Sequence, residues 1–326
     1  MKAAVFEDVR KITYKEDYPK PKITPAHVLI KVAYCAICGT DVTNYKKKLY
    51  QTPVVMGHEF SGIIAELGKN VKGFQEGDKV VGVNVSLEIG RSPSGGMGIF
   101  KDGGFAEYVA VHKNDLFHAP APSSLKECAM IESYAVSARA LKHCNMPQNQ
   151  KIMIIGGGNI GLGALDILKN KYDPEYIIVT ELYEALRENA ENLGADDAFP
   201  PSKAKLRRFF RKNGEPDFIF DCAGNDKTFD LAINTIKRGG TIVLEGLYKG
   251  NVEFPLFLMN NKEITLIGTL SHDREDVKDT IQLFSEGIVR PKRLISDVIP
   301  LSNIQEGFER YMTKKERDFV KILVEI

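Results

Sequence analysis

The sequence has almost no excess of charge, since 44 lysine and arginine residues against 43 aspartate and glutamate residues leave a formal net charge of +1. A chain this balanced has no overall field that would attract nucleic acid or an anionic membrane surface. Every apolar run is also shorter than the ~20 residues that a membrane-spanning helix needs. We therefore expect neither a nucleic acid nor a membrane as a partner.

Cysteine is scarce, and the five cysteines are scattered and odd in number, which is typical of a reducing compartment and not of a disulfide framework. They are Cys35, Cys38, Cys128, Cys144 and Cys222. The N-terminal segment is charged and lacks the apolar core of a signal peptide. Together these features predict a cytoplasmic protein.

One local excess of positive charge lies between Lys203 and Lys212, where six basic residues surround Phe209 and Phe210. A basic patch with aromatic residues is one sign of nucleic-acid binding. An amphipathic surface helix that buries Leu206, Phe209 and Phe210 explains the spacing better. We expect such a helix.

Three side chains of the kinds that bind zinc, Cys38, His58 and Glu59, lie in one short window. A thiolate, an imidazole and a carboxylate form the mixed donor set of a catalytic zinc, which keeps one coordination position open. Asp41 is placed to accept a hydrogen bond from the ring of a ligating histidine. Thr40 offers a hydroxyl beside the thiolate. A redox pair of Cys35 with Cys38 is the alternative, but the thioredoxin-like context that it needs is missing.

The first 124 residues favour short strands separated by proline and glycine, which indicates a compact, partly open β-barrel. The predicted strands are 3–6, 28–32, 60–65, 79–83 and 105–111.

A glycine motif follows an apolar strand at 151–155 and leads into a helical segment. This strand, turn and helix setting is the one in which GxGxxG binds the pyrophosphate of a dinucleotide. The predicted cofactor-binding residues of the motif are Gly156, Gly158, Asn159, Ile160 and Gly161. Glu181 ends the next strand and is placed to accept the ribose hydroxyls. Because its charge would repel a 2′-phosphate, we predict NAD as the cofactor instead of NADP.

Strands alternate with helices from residue 125 onward, at 176–180, 217–222, 241–245 and 264–267. This alternation predicts an α/β fold with a parallel, doubly wound sheet. A chain of 326 residues is long enough for two such domains.

The strings CGTD at 38–41, GHEF at 57–60 and DGGFAEYV at 102–109 resemble the zinc-dependent medium-chain dehydrogenases and reductases of the alcohol dehydrogenase superfamily. The pattern is closest to the sorbitol, polyol and threonine dehydrogenase-like members. The resemblance implies a GroES-like catalytic domain at 1–124, a Rossmann NAD-binding domain at 125–262, and a return to the catalytic domain at 263–326. It also implies a homodimer or homotetramer.

The segment MIESYAVSARAL at 130–141 resembles the place where polyol dehydrogenases carry a glutamate at or near zinc. Glu132 is therefore predicted either to ligate the metal or to hold the zinc-bound water. Many relatives have a histidine where this chain has Thr43, so the proton relay must end in water or another group. Leu186 stands where relatives often have a basic residue near the ribose.

Many relatives carry a four-cysteine structural zinc lobe at the position of residues 85–104, which contain no cysteine here. We therefore expect one zinc ion per chain, at the catalytic site. The resemblance implies NAD-dependent oxidation of a secondary alcohol or polyol, such as a sugar alcohol, diol or hydroxy amino acid, to the ketone. Thr40, Cys38 and His58 are the predicted catalytic residues.

Two other functions are consistent with the same superfamily or fold. A zinc-free quinone or enoyl reductase would keep the glycine motif and lose the zinc ligands. A nucleotide-binding protein without catalytic activity could reuse the fold, since fold alone does not determine function. The intact set of Cys38, His58 and Glu59 argues against both.

Overall fold

The N-terminal third of the chain folds into strands, as its short apolar segments predict. The computed structural model describes residues 1–84, 96–313 and 317–326. Within the N-terminal third, helix α1 spans Gly39–Lys47, and the strands are β1 (Ala3–Asp8), β2 (Lys11–Lys15), β3 (His27–Ala36), β4 (Val54–Val55), β5 (Glu59–Leu67), β6 (Lys79–Val83), β7 (Tyr108–His112) and β8 (Leu116–His118).

Two sheets make up this β-rich domain, and the C-terminus of the chain completes one of them. The smaller sheet has the order β2-β1-β4. The larger sheet has the order β15-β16-β3-β5-β6-β8, with β7 also paired to β3. Strands β15 (Ile295–Pro300) and β16 (Lys321–Glu325) come from the end of the chain, and β16 pairs antiparallel with β3. The C-terminal segment therefore returns to the first domain.

The middle of the chain forms a six-stranded parallel sheet in the order β11-β10-β9-β12-β13-β14. This is the Rossmann order, in which the sheet is built outward in both directions from its first strand. Its strands are β9 (Lys151–Ile155), β10 (Tyr176–Thr180), β11 (Asp197–Phe199), β12 (Phe218–Asp221), β13 (Thr241–Leu244) and β14 (Thr265–Gly268). The predicted fold class is confirmed.

Helices connect and cover the strands of the parallel sheet. They are α2 (Leu125–Cys128), α3 (Ile131–His143), α4 (Asn159–Lys171), α5 (Glu184–Leu193), α6 (Lys203–Asn213), α7 (Asp226–Thr235), α8 (Leu256–Lys262), α9 (Arg274–Ser285) and α10 (Ile304–Met312). Helix α6 carries the basic run and buries Leu206 and Phe210, with Phe209 half-buried, so the run forms the amphipathic helix expected from its spacing.

The parallel sheet extends beyond residue 262, the predicted end of the cofactor domain, because β14 is its last strand. None of the helices in the described part of the chain is long and apolar enough to cross a membrane.

One buried cluster joins the two domains, since Val81 and Phe117 of the β-rich domain pack in the same core as Ile152 and Val243 of the parallel sheet. Apolar contacts therefore hold the two domains against each other.

Candidate active site

Cys38, His58 and Glu59 converge at one end of the larger sheet. One ligand atom from each residue can be chosen so that all three lie within 4.8 Å of one another. Strands β3 and β5 pair antiparallel with Ala36 opposite Glu59. The chain that leaves β3 and the chain that enters β5 therefore meet at the same end of the sheet, and the three donors are brought together by strand register.

The glycine before His58 is required by the close packing behind the site. Gly57 has a φ of 94°, and a Cβ there would lie 2.7 Å from the Cys35 sulfur. A side chain at this position would both strain the backbone and clash. Cys35 is buried and, like Cys38, is a free thiol, so it serves as packing behind the cluster and forms no disulfide with Cys38.

Helix α1 fixes the orientation of Cys38 and Asp41. Cys38 is the N-cap, its sulfur accepts the Thr40 backbone N–H at 3.5 Å, and the Asp41 Oδ2 atom accepts the Cys38 N–H at 3.0 Å. The other Asp41 oxygen, Oδ1, lies 3.5 Å from His58 Nδ1. Asp41 thus faces one ring nitrogen, which leaves the opposite nitrogen for a metal.

A buried lysine lies against the third donor. Lys321 Nζ is 2.8 Å from Glu59 Oε1 and 2.6 Å from Oε2, and both side chains are at most 3% exposed. Strand β16 delivers Lys321 because it pairs beside the end of β3. Burial opposes the charged lysine, but Glu59 and Cys38 outweigh it and raise the pKa of Lys321, so this side chain stays cationic.

The electrostatics of the cluster fit a bound cation. Burial and the charge of Glu59 raise the pKa of the Cys38 thiol, so a positive ion is needed to hold the thiolate. Burial lowers the pKa of His58, but Asp41 and Cys38 outweigh burial and raise it. Glu59 Oε2 is buried and makes no hydrogen bond of good geometry within the described structure, although Lys321 Nζ lies 2.6 Å from it. Sulfur, nitrogen and oxygen donors so arranged suit zinc.

Glu132 lies beside this cluster but outside the group of three donors. It lies in the first turn of α3, is 7% exposed, and its Oε1 is hydrogen-bonded to His272 Nε2 at 3.0 Å. Burial alone would raise the pKa of Glu132, but the His272 hydrogen bond and the charges of His272, His58 and Lys321 lower it. Glu132 is therefore an anion at the edge of the cluster, held on one oxygen by His272.

The two threonines of α1 have different surroundings. Thr40 is half-buried next to Cys38. The Thr43 hydroxyl donates to the Gly39 carbonyl at 2.9 Å, within its own helix. The Thr43 hydroxyl thus donates its hydrogen bond within α1. It therefore does not replace the histidine of the expected proton relay.

The glycine motif forms the turn between β9 and α4. Gly156 has a φ of 104°, and a Cβ on Gly161 would lie 2.0 Å from the Gly156 carbonyl oxygen. Gly158 is the N-cap of α4 and has open space where a Cβ would stand. Asn159 and Ile160 follow in the first turn. Free N–H groups at an open helix N-terminus suit a pyrophosphate, so the turn fits a dinucleotide.

Glu181 lies directly against this turn. Its Oε2 accepts the Gly157 N–H at 2.8 Å, and its Oε1 accepts the Tyr183 N–H at 3.0 Å. Leu186, which stands at the expected basic position, is instead buried in the core. The neighbouring Arg187 donates to the Glu181 and Leu182 carbonyls at 2.9 and 2.7 Å, which brings a positive charge beside Glu181.

Two family models match this chain. The alcohol dehydrogenase GroES-like domain matches residues 24–121, and the zinc-binding dehydrogenase domain matches residues 159–286. Sorbitol dehydrogenase of Bacillus subtilis is 30% identical over 349 residues, which cover 99% of this chain and 97% of that protein. The chain belongs to the zinc-binding alcohol dehydrogenase family.

Solved structures agree with this assignment over the whole length of the dehydrogenase. The 2R,3R-butanediol dehydrogenase of Bacillus subtilis is 28% identical, with a TM-score of 0.90 and coverage of 100% of this chain and 99% of that chain. A zinc-binding dehydrogenase of Sinorhizobium meliloti 1021, solved with NADP, is 26% identical with the same TM-score and coverage. The resemblance stated from the sequence motifs is confirmed.

Three residues that contact the candidate site residues were not found from sequence. Lys321 has a signal, because it is a lysine directly before the apolar run of β16, but its partner Glu59 is 262 positions away. The pairing of His272 with Glu132 spans 140 positions and has no local signal. Arg187 could have been found from the periodicity of α5, which places Leu186 on the buried face and Arg187 beside it.

Residues 85–95, on which the expected absence of a structural zinc lobe largely depends, lie outside the described part of the chain.

Proposed function

We propose that this dehydrogenase oxidises a secondary alcohol or polyol to the ketone, with one zinc ion per chain and NAD. The observation that carries the proposal is the convergence of Cys38, His58 and Glu59 within 4.8 Å beside a dinucleotide-binding fold. Relatives named for sorbitol and 2R,3R-butanediol support a substrate that bears neighbouring hydroxyls.

Each residue has a distinct role in this proposal. When bound, zinc lowers the pKa of a hydroxyl at its open position and the nicotinamide accepts the hydride. Cys38, His58 and Glu59 hold the metal, and Asp41 orients His58. The Thr40 hydroxyl relays the proton that leaves the substrate, accepting it while it passes its own proton on to water or another group.

Glu132 is placed to hold a hydroxyl of the substrate or a water molecule at the edge of the metal site. His272 keeps one oxygen of Glu132 engaged, so that the other oxygen is available. A carboxylate at this place accepts hydrogen bonds from hydroxyl groups. It therefore favours polyols or diols over simple alcohols.

Glu181 supports NAD over NADP. A 2′-phosphate about 4 Å from this carboxylate would meet a repulsion of about 4 kcal/mol per pair of unit charges at an effective dielectric near 20, before screening. Arg187 offsets part of this, but its Nη1 is already engaged with two carbonyl oxygens. We further propose a cytoplasmic homodimer or homotetramer, the states that the family resemblance implies.

The test measures metal content on chelator-washed and zinc-restored protein, and then NADH production with a panel of polyols, diols and secondary alcohols. We expect one zinc per chain and zinc-dependent activity that Cys38→Ala abolishes. Activity without zinc would favour the quinone or enoyl reductase alternative. Binding of NAD without turnover of any substrate, and unaffected by Cys38→Ala, would favour the non-catalytic alternative.

A further inference from the structure

A buried carboxyl also lies at the end of β13 in the cofactor domain. Glu245 follows the last residue of β13 and is 7% exposed. The thiol of Cys222, which follows β12, lies 3.3 Å from its Oε2. Its Oε1 is buried and has no hydrogen-bond partner among the described residues. An unpartnered buried oxygen costs free energy, so this arrangement suggests that a ligand completes it.

The order of the parallel sheet indicates which ligand. The glycine turn follows β9 and Glu181 follows β10, so the adenosine ribose and the pyrophosphate belong to that side of the sheet. A dinucleotide crosses the crevice at the carboxyl ends of the strands, where the strand order reverses between β9 and β12. Its second nucleotide therefore lies over β12 and β13, whose ends carry Cys222 and Glu245.

Contacts with α3 place Glu245 near the phosphate-binding turn. The Ser137 hydroxyl of α3 donates to the Ile160 carbonyl at 3.0 Å, in the first turn of α4. The same hydroxyl is a neighbour of the Glu245 carboxyl and lowers the pKa of that carboxyl. The Ser137 side chain therefore lies between the Glu245 carboxyl and the turn that is expected to bind the pyrophosphate.

We propose that Glu245 contacts the nicotinamide end of the bound dinucleotide and favours its oxidised, positively charged ring over its reduced, neutral ring. This inference rests on the proposed NAD-dependent function and assigns a specificity-determining residue to it. A carboxylate beside a positive ring gains Coulomb energy in a buried site that it does not gain beside a neutral ring.

The surroundings of Glu245 make its charge depend on pH near neutrality. Burial raises its pKa to about 8, although Cys222 and Ser137 oppose the rise. Burial also raises the pKa of Cys222 well above its usual value and that of Cys144 to about 11, so both thiols stay neutral. The Asp221 carboxylate at the end of β12 accepts from the Ala223 and Gly224 N–H groups and from the Tyr248 hydroxyl.

The binding of each form of the cofactor therefore depends differently on pH. When NAD⁺ binds to protein with a protonated Glu245, the carboxyl releases one proton to solvent and the carboxylate faces the ring. NADH brings no positive ring and causes no such release. As the pH rises through about 8, NAD⁺ should bind more tightly relative to NADH.

The experiment measures dissociation constants of NAD⁺ and NADH on zinc-loaded protein from about pH 6.5 to about pH 9.5, on both sides of this pKa. In the wild type, the ratio of the NADH constant to the NAD⁺ constant should rise about tenfold. Glu245→Gln should lose most of this rise, while the exposed Glu215→Gln in the same domain should keep it. Zinc-bound water also ionises, so the difference between variants is the readout.

A second variant keeps the inference testable if Glu245→Gln folds poorly. Cys222→Ala removes a thiol that lowers the pKa of Glu245, so the rise in the ratio should move to higher pH. An identical pH dependence in wild type, Glu245→Gln and Cys222→Ala, with both nucleotides still bound, would overturn this inference and leave the proposed cofactor intact. Failure of either nucleotide to bind the wild type would overturn both.

Discussion

The metal cluster and the cofactor turn are built from different parts of the chain. At the metal cluster, side chains carry the chemistry, and the buried charges have partners, with Lys321 against Glu59 and His272 against Glu132. At the cofactor turn, backbone N–H groups and bare glycine positions form most of the surface. One site depends on balanced charges and the other on the absence of side chains.

This contrast predicts how each site responds to mutation. Removal of one partner from a buried ion pair leaves an uncompensated charge, which is costly for the whole fold. Removal of a side chain at a surface made of backbone leaves the surface nearly intact. Addition of an atom to that surface is what should disrupt binding. The following substitutions test these differences in order of expected effect.

Lys321→Met should have the largest effect, because it leaves the buried Glu59 carboxylate without its cation. We expect the free energy of unfolding of the zinc-free protein to fall by about 3–5 kcal/mol. Burial already raises the pKa of Glu59, and loss of the lysine should raise it further. The destabilisation should therefore be small at acidic pH, where the carboxyl is protonated in both states, and grow as the pH rises. Urea unfolding across pH measures it.

The matched control is the double variant Lys321→Met with Glu59→Gln, which removes both charges. Most of the lost stability should return, since a buried pair replaced by neutral groups is often tolerated. If the single variant unfolded within about 1 kcal/mol of the wild type at neutral pH, the pair would resemble an exposed ion pair, and the contrast between the two sites would fail.

Asp41→Asn should weaken zinc binding by about 10–100-fold, because it removes the negative charge that faces His58. The asparagine oxygen can still accept the Cys38 N–H, so the cap of α1 should survive. Competition with a chelator measures the zinc affinity, and circular dichroism checks the helix content. Asp41→Ala serves as the comparison, since it loses the cap as well. Equal zinc affinity in wild type and Asp41→Asn would show that Asp41 only caps the helix.

Gly158→Ala tests the backbone surface of the cofactor turn. Nothing lies within 4 Å of a Cβ at this position, and its backbone has an ordinary extended conformation with a φ of −80°. The unfolding free energy should stay unchanged or rise by about 0.4–1 kcal/mol. NADH affinity should nevertheless fall about tenfold, because the methyl group occupies the approach of the pyrophosphate.

The control for Gly158→Ala is Gly268→Ala, another open glycine position, at the end of β14 in the parallel sheet. It should change neither the stability nor the NADH affinity appreciably. Fluorescence titration with NADH compares the two variants directly. If both bound NADH as tightly as the wild type, the pyrophosphate would not pass over Gly158.

How much of each site the sequence predicts follows from the same contrast. The glycine turn is contiguous, so its motif and its setting between β9 and α4 are readable from local spacing. The zinc donors are nearly as local, because Cys38 follows β3 and His58 precedes β5, and these two strands are neighbours in the sheet. The partners of the buried charges are not local. Lys321 and His272 reach the site only through strand pairing and domain packing, which no short window of sequence records.

The end of the cofactor domain is harder to place from sequence than the strands inside it. The last strand of the parallel sheet is predicted at 264–267 and is found at Thr265–Gly268. The family resemblance, however, implies that the cofactor domain ends at residue 262, before this strand. Glu245 was counted only as the last residue of a predicted strand. Its burial beside Cys222 depends on the pairing of β12 with β13 and on the packing of α3, which the sequence does not show.

Arg187→Met should have the smallest effect and tests whether the positive charge beside Glu181 contributes to cofactor binding. The guanidinium holds the Glu181 and Leu182 carbonyls, but it is partly exposed and touches backbone that is also fixed by β10. We expect NADH binding to weaken by about 1 kcal/mol, roughly fivefold.

Leu186→Met is the matched comparison, since it changes the buried neighbour of Arg187 at similar volume. It should cost less than about 1.5 kcal/mol of stability and leave the NADH affinity unchanged. A larger loss of NADH affinity in Leu186→Met than in Arg187→Met would return the role to Leu186. A loss in Arg187→Met as large as in Gly158→Ala would mean that a side chain, and not the backbone alone, forms the cofactor site.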